Sequence, residues 1–312
     1  MKDTKVLSGT AYSFEGKMPL RQAIPLGLQH VLAMFVGNLT PLLIITGACG
    51  LGVGSEFADL QVSLLQNAML VAGLVTLLQL FAIGPVGGKV PIIMGTSSGF
   101  IGVFNSVVAN MGGGVIAYGA IMGASIIGGL MEGVLGFFLK PLRRFFPPVV
   151  TGTVVLSIGL SLISVGIGSF GGGSGAADYG SIENLLLATF VLVVILIVKH
   201  GTKGFTSTSS ILIGIIAGYI VAFIMGFVLP TTGVTADGVE YTKAWVLNWD
   251  KVKEASWFAV PALMPVKIIF DWRAIVPVLI MFVVTAVETV GDISGVMEGG
   301  MGREATDKEL SG

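Results

Sequence analysis

The chain has 312 residues, of which 54 % are hydrophobic and 11 % charged, against about 25 % charged in an ordinary soluble domain. So few polar groups cannot cover a water-facing surface, and 17 basic residues nearly cancel 18 acidic ones. This balance excludes a soluble globular enzyme, a nucleic-acid binder and a disordered protein. The single cysteine, Cys49, excludes a disulfide scaffold and a cysteine-based metal cluster.

The charges that do occur are spaced widely. None falls between Arg21 and Glu56, Asp59 and Lys89, Lys89 and Glu132, Arg144 and Asp178, or Lys203 and Asp237. A membrane-spanning helix needs about 20 apolar residues. The first two gaps therefore predict spans over Ile24–Thr46 and Leu60–Gly84. The third is too long for one span and breaks at Gly112-Gly113-Gly114, giving one segment before the glycines and one at about Val115–Leu139. Further spans are predicted at Pro147–Gly168, Glu183–Val198, Ser209–Leu229 and Ile275–Met297, eight in all. The first apolar run is longer than a signal-peptide core and lacks a small-residue cleavage site, so it reads as a retained span.

The basic residues set an expected orientation. With a cytoplasmic N-terminus, the inner segments carry Lys2, Lys5, Lys17, Arg21, Lys89, Lys140, Arg143, Arg144, Lys199 and Lys203. The short outer loops carry Glu56, Asp59, Asp178 and Glu183 and no Lys or Arg, in keeping with the positive-inside rule. The segment from Pro230 to Arg273 is then external. It holds all four tryptophans, Trp245, Trp249, Trp257 and Trp272, residues that favour the membrane–water interface. Short amphipathic pieces are expected within it.

The third segment does not read as a simple helix. Val90–Met94 is rich in β-branched residues and contains Pro91, which suits an extended strand. Gly95 can bend the chain, and Thr96, Ser97 or Ser98 can cap a helix beginning there. The expected object is an extended stretch followed by a half-helix starting within the bilayer, with N–H groups aimed at a ligand. Irregular backbone at that depth is tolerated only where protein or a water-filled cavity covers it. A kinked but continuous span with a Ser/Thr packing face is the alternative.

Two carboxylates interrupt the last span. Glu288 and Asp292 are four residues apart and share a helical face, which Thr285 extends. Charges at membrane depth mark substrate or ion pathways, and a carboxylate of such a pair can take up and release a proton. A solvated or capping role at the helix end is the other reading of Asp292. His30 lies about 9 Å into the first span by helical rise; it either contacts a substrate or is a satisfied core residue. Glu132 is expected to pair with Lys140 or the Arg143-Arg144 cluster in a structural role. Asn38, Asn105 and Gln79 read as interhelical hydrogen-bonding groups, and Gly123, Gly128, Gly129, Gly133 and Gly136 as close-packing positions. No P-loop or His-Glu-x-x-His pair occurs, so neither an ATP-driven pump nor a zinc protease is encoded. An acid-lined channel stays open as a third class.

These segments together resemble the nucleobase–ascorbate transporter family, also called nucleobase:cation symporters. Gln29-His30-Val31-Leu32-Ala33-Met34-Phe35 is similar to the family's first span, Pro91–Phe100 to its third, Glu288-Thr289-Val290-Gly291-Asp292 to its eighth, and Gly302–Gly312 to the loop that follows. The order and spacing match along the chain. The resemblance implies an all-α polytopic membrane protein built as two inverted halves of seven segments, of which the first eight are present here. The third segment would hold the short intramembrane strand and half-helix. Spans one and eight are repeat mates, echoed in Ala23-Ile24-Pro25 and Ala274-Ile275-Val276-Pro277.

By that resemblance, residues 1–23 form a cytoplasmic segment, 24–139 the core-domain spans one to four and 140–229 the gate-domain spans five to seven. Residues 230–273 form an extracellular loop, 274–298 core span eight, and 299–312 a cytoplasmic loop. The family's signature segment lies in its tenth span, so the chain is expected to be a fragment, about two-thirds of a whole transporter. Glu288 would bind the nucleobase N–H edge, Asp292 support the site and the proton linkage, and His30 shape it. Ser97 and Ser98 would stand where the half-helix meets the substrate. The family often has an aromatic residue near Ser98, so the small residue here leaves stacking on that side open. The Glu-Thr-Val-Gly-Asp form is similar to the xanthine/uric acid branch, whereas uracil-type members more often carry histidine at the fifth position. The implied activity is proton-coupled purine uptake by an elevator-type mechanism, not an enzymatic reaction. It needs no cofactor beyond the proton and no nucleic-acid partner. The protein would sit in the cell membrane, as a homodimer when full length. A uracil or other nucleobase permease, or an anion transporter of the same fold, is the alternative.

Overall fold

Each long apolar run becomes a helix in the computed structural model, which describes residues 19–52, 55–138, 148–173, 175–235, 237–249, 253, 260, 262 and 264–312. The helices are α1 (Leu20–Ala48), α2 (Ala58–Phe81), α3 (Ile101–Met111), α4 (Gly114–Phe137), α5 (Pro148–Phe170) and α6 (Ile182–Gly201). The short α7 (Phe205–Thr208), then α8 (Ser210–Val228), α9 (Trp272–Met301) and the short α10 (Asp307–Ser311) complete the set. Among the described residues, α2, α4, α6, α8 and α9 are long and apolar enough to cross a membrane. The chain is therefore an all-α polytopic membrane protein with one small sheet.

The surface is inverted relative to a soluble protein. Large apolar side chains such as Leu74, Phe81, Leu130 and Phe227 are exposed, while the buried positions of α4 include Ala117, Gly119, Ala120, Gly123, Ala124 and Gly128. Lipid solvates the first set, and the small residues let helix backbones approach.

Contacts divide the chain into two compact units. One contains residues 34–160 and 260–312, with the described residues before 23. Its central pair is α4 against α9. A side chain at Gly128 would run into the Phe282 ring, and one at Gly123 into the Ile269 carbonyl. Phe282 is itself held, its ring centroid 4.8 Å from that of Phe100. The α9 face turned inward is a heptad-like stripe, Ala274, Val278, Met281, Thr285, Val290, Ile293 and Met297, all buried. Beyond Gly302, the αL cap of α9 (φ 67°), the chain turns back. Ala305 and Leu310 then join Val90, Val290, Ile293 and Met297 in one apolar cluster.

The other unit contains residues 23–33 and 161–259. In it α6 packs on α8, with Gly214 against Ile195 and Gly218 against Val191. After Pro230 the chain forms an antiparallel hairpin, β1 (Thr232–Val234) with β2 (Glu240–Thr242); the short amphipathic pieces expected in this segment fall largely on residues 250–263, most of which lie outside the described residues. The reason is local: Asp237-Gly238 is a turn sequence, and Gly238 takes φ 80°. The hairpin's exit is tied down by Asp178, whose buried carboxylate accepts from the Ala244 N–H at 3.0 Å and from Asn184 Nδ2 at 3.1 Å. Of the four tryptophans, Trp245 is buried, Trp249 and Trp272 are exposed, and Trp257 lies outside the described residues.

Candidate functional site: an acidic cavity beside a broken helix

The third segment is interrupted inside the first unit. Residues 88–97 form neither helix nor paired strand among the described residues: Lys89 takes φ 58°, and the Ile92 N–H donates to the Val90 carbonyl at 2.8 Å. The strand expected over Val90–Met94 is therefore an irregular stretch, and side chains of neighbouring helices satisfy amides along it. Thr76 Oγ1, on α2, accepts from the Met94 N–H at 2.9 Å. Asn38 Oδ1, on α1, accepts from the Thr96 N–H at 2.7 Å. Ser97 then ends the stretch as a helix cap: its hydroxyl accepts from the Gly99 N–H at 3.2 Å. A 3-10 turn over Ser98–Phe100 leads into α3, which ends at Gly112 in the αL conformation (φ 80°). The half-helix expected from Gly95 and the serines is present, with Ser97 as the cap.

The broken segment faces a cavity of about 790 Å³, within the range of small-molecule sites, ~300–1,000 Å³. Ser97 and Ser98 line it together with Glu288, Thr289 and Asp292 of α9. Glu288 is half-buried, and Asp292 is more exposed near the end of the polar stripe. Asn38, Gln79 and Thr96 add neutral polar groups. Among the described lining residues there is no Lys, Arg or His. A carboxylate facing a helix start can hold a ligand carrying both N–H donors and carbonyl acceptors: the carboxylate takes the donors, and the helix N–H groups meet the carbonyls.

The sequence reading missed Glu132 as a cavity residue. It lies on α4 and lines the same space, with Oε1 3.4 Å from the Thr285 hydroxyl. The Lys140, Arg143 and Arg144 partners expected for it lie outside the described residues. The glycines of α4 also divide into two sets. Gly123 and Gly128 are close-packing positions, whereas Gly129 and Gly133 line the cavity, with open space where a Cβ would stand. Glu132 lies one helical turn beyond Gly128, whose contact with Phe282 sets the rotation of α4. His30 is exposed on α1, in the stretch that belongs to the second unit, and is not a lining residue. Asn105 is likewise not a lining residue, and its Oδ1 is buried without a hydrogen-bond partner. Among the described residues no group of His, Cys, Asp and Glu is placed to hold a metal ion.

Comparison with known proteins places this arrangement in a family. Residues 21–309 match a family model described as the Permease family. The chain is 37 % identical over 298 residues to a putative purine permease of Clostridium perfringens, covering 96 % of this chain and 59 % of that protein. It is 35 % identical over 274 residues to the uric acid permease PucK of Bacillus subtilis, covering 86 % and 56 %. It is 31 % identical over 290 residues to the xanthine permease XanP of Escherichia coli K12, covering 91 % and 58 %. The chain thus spans less than two-thirds of the length of these curated relatives. With the match running through every helix described above, the chain belongs to this permease family, the nucleobase–ascorbate transporters.

Proposed function

We propose that the protein carrying this chain takes up an oxidised purine, xanthine or uric acid, across the cell membrane in symport with protons. The observation that carries the reading is one cavity lined by both Glu288 and the Ser97–Ser98 helix start. Glu288 accepts the purine N–H edge, and the helix start donates to its carbonyls. Asp292, one turn further along α9, supports Glu288 and takes part in proton exchange. His30 helps to shape the purine site. The unit that holds the cavity carries the substrate in an elevator-type cycle, the N-terminus is cytoplasmic, and the full-length protein is a homodimer. Family membership and the names of the relatives, which include uric acid and xanthine permeases, support the purine assignment. Glu288 in the cavity wall argues against a sulfate- or bicarbonate-type anion carrier, which calls for a positive site.

The test is uptake of radiolabelled xanthine and urate by cells expressing the complete gene. Accumulation abolished by a protonophore and by Glu288→Gln is the expected result. Uptake indifferent to the protonophore would remove proton coupling, and normal transport by the Glu288→Gln protein would remove the site assignment. Sulfate uptake without purine competition would overturn the substrate class.

A further inference from the structure

Asn38 was expected to be hydrogen-bonding glue between helices, and its geometry is more specific than that. It is 4 % exposed, and both ends of its carboxamide are engaged. Oδ1 accepts from the Thr96 N–H at 2.7 Å. Nδ2 donates to the Ala68 carbonyl at 3.3 Å and stands 3.3 Å from Met69 Sδ. A main-chain N–H can only donate and a main-chain carbonyl can only accept, so one orientation of the amide satisfies both neighbours. One side chain of α1 thereby joins α2 to the stretch that leads into the helix cap. The contact is tight, because a Cβ at Gly95 would stand 2.9 Å from Asn38 Oδ1. Thr76 holds the same stretch from α2 through Met94. The chain enters its helix cap at Ser97, one residue after the Asn38 bond.

We propose that Asn38 is a positioning residue of the cavity: its carboxamide fixes where the Ser97–Ser98 helix start stands relative to Glu288. It also occupies the Thr96 N–H, so that this donor is not offered to the ligand in place of those of the helix start. The inference rests on the purine-transport reading of the same cavity, and one arm of its test does not need that reading. Alanine at position 38 removes the acceptor for Thr96 and the donor to Ala68 together. Aspartate removes the donor only while it is ionised. The neutral acid reproduces the amide, its carbonyl accepting from Thr96 and its hydroxyl donating to Ala68.

The first arm measures xanthine uptake kinetics at equal membrane abundance. Asn38→Ala is expected to raise KM about tenfold, the size of one uncompensated buried N–H, with the maximal rate per copy little changed. For Asn38→Asp, KM relative to the unsubstituted protein is expected to fall towards one as pH is lowered, while the ratio for Asn38→Ala stays flat. Glu132, Glu288 and Asp292, the other acids of the cavity, are common to all three proteins and cancel in the ratio. A role confined to folding lowers abundance or rate without moving KM. An unchanged KM in Asn38→Ala, or ratios that ignore pH in both variants, would overturn the proposal. The second arm introduces Ser98→Cys in a Cys49→Ala background and follows labelling by a water-soluble maleimide. Adding Asn38→Ala is expected to change the labelling rate severalfold. If the unsubstituted protein takes up no xanthine, the transport reading fails and the labelling rate alone decides: a changed rate supports the positioning role, and an unchanged rate overturns it.

Discussion

The hydroxyl of Thr285 stands between two acceptors, the Phe282 carbonyl of its own helix at 3.1 Å and a carboxylate oxygen of Glu132 on α4 at 3.4 Å. A hydroxyl has one proton, so it donates to one of the two at a time, and the shorter contact is the helical one. The link across α4 and α9 is therefore modest. A double-mutant cycle of Glu132→Gln and Thr285→Val, read by unfolding in detergent, is expected to give a coupling of about 0.5–1 kcal/mol. Coupling near zero would show that the two side chains do not sense each other.

Neighbouring glycines of α4 are expected to respond in opposite ways. Alanine at Gly128 meets the Phe282 ring, which is braced against Phe100, and overpacking of this kind costs about 1–3 kcal/mol. Alanine at Gly129 meets open space in the cavity wall, and gains up to ~1 kcal/mol of helix propensity. Thermal unfolding in detergent should show a lowered midpoint for Gly128→Ala and an equal or raised one for Gly129→Ala. Equal losses at both positions would contradict the packing described.

The helices were legible because a low-charge run of span length has few alternatives; α4, predicted at Val115–Leu139, is found at Gly114–Phe137. The broken third segment was legible for a different reason: Pro91, Gly95 and the serines each carry a local backbone preference. Three features were not legible. Glu132 enters the cavity because the Gly128–Phe282 contact sets the rotation of α4, a relationship across 154 residues of sequence. Asn38 and Thr76 look like ordinary polar residues until the main chain they satisfy is in place. The exposed position of His30 depends on the orientation of α1, which its own heptad does not determine.

In the second unit, two acidic residues separated by only a few positions should behave differently. Asp178 is buried and is the acceptor for Asn184 Nδ2 and the Ala244 N–H. Asp178→Ala strands the Ala244 N–H, while Asn184 Nδ2 keeps the Gly171 and Asp178 main-chain carbonyls; the loss of the buried acceptor costs about 1–3 kcal/mol and should expose the hairpin at 232–242 to limited proteolysis. Glu183 forms a 2.7 Å ion pair with Lys243, with 29 % of the glutamate side chain exposed. Such partly solvated pairs contribute about 0–1 kcal/mol, so Lys243→Ala should leave the cleavage pattern nearly unchanged. Matching proteolysis of the two variants would show that the ion pair, not the buried carboxylate, holds the hairpin.

The segment after α9 should be sensitive to acid through one residue. The Glu309 carboxylate accepts from both terminal nitrogens of the Arg303 guanidinium, at 3.0 Å from Nη1, and from the Thr306 N–H at 2.8 Å, closing a capping box on α10. These bonds, the Arg303 ones foremost, hold its pKa down to about 2, below the ~4.3 of a free glutamate. A depressed acid pKa means that the folded segment binds fewer protons than the unfolded one. Its stabilisation is complete above the unfolded value and is lost as pH falls from about 4.3 through about 2. Leu310 anchors this segment in the apolar cluster with Val90 and Met297, so release of α10 should uncover that cluster. Hydrogen exchange over residues 303–312, corrected for the intrinsic rate, should show protection that is steady from pH 7 to 5 and declines below about 4. Glu309→Gln cannot titrate and loses the charge-assisted bonds, so it should show lower protection at neutral pH and no acid-dependent decline. A decline of the same size in both proteins would assign the acid sensitivity to another group.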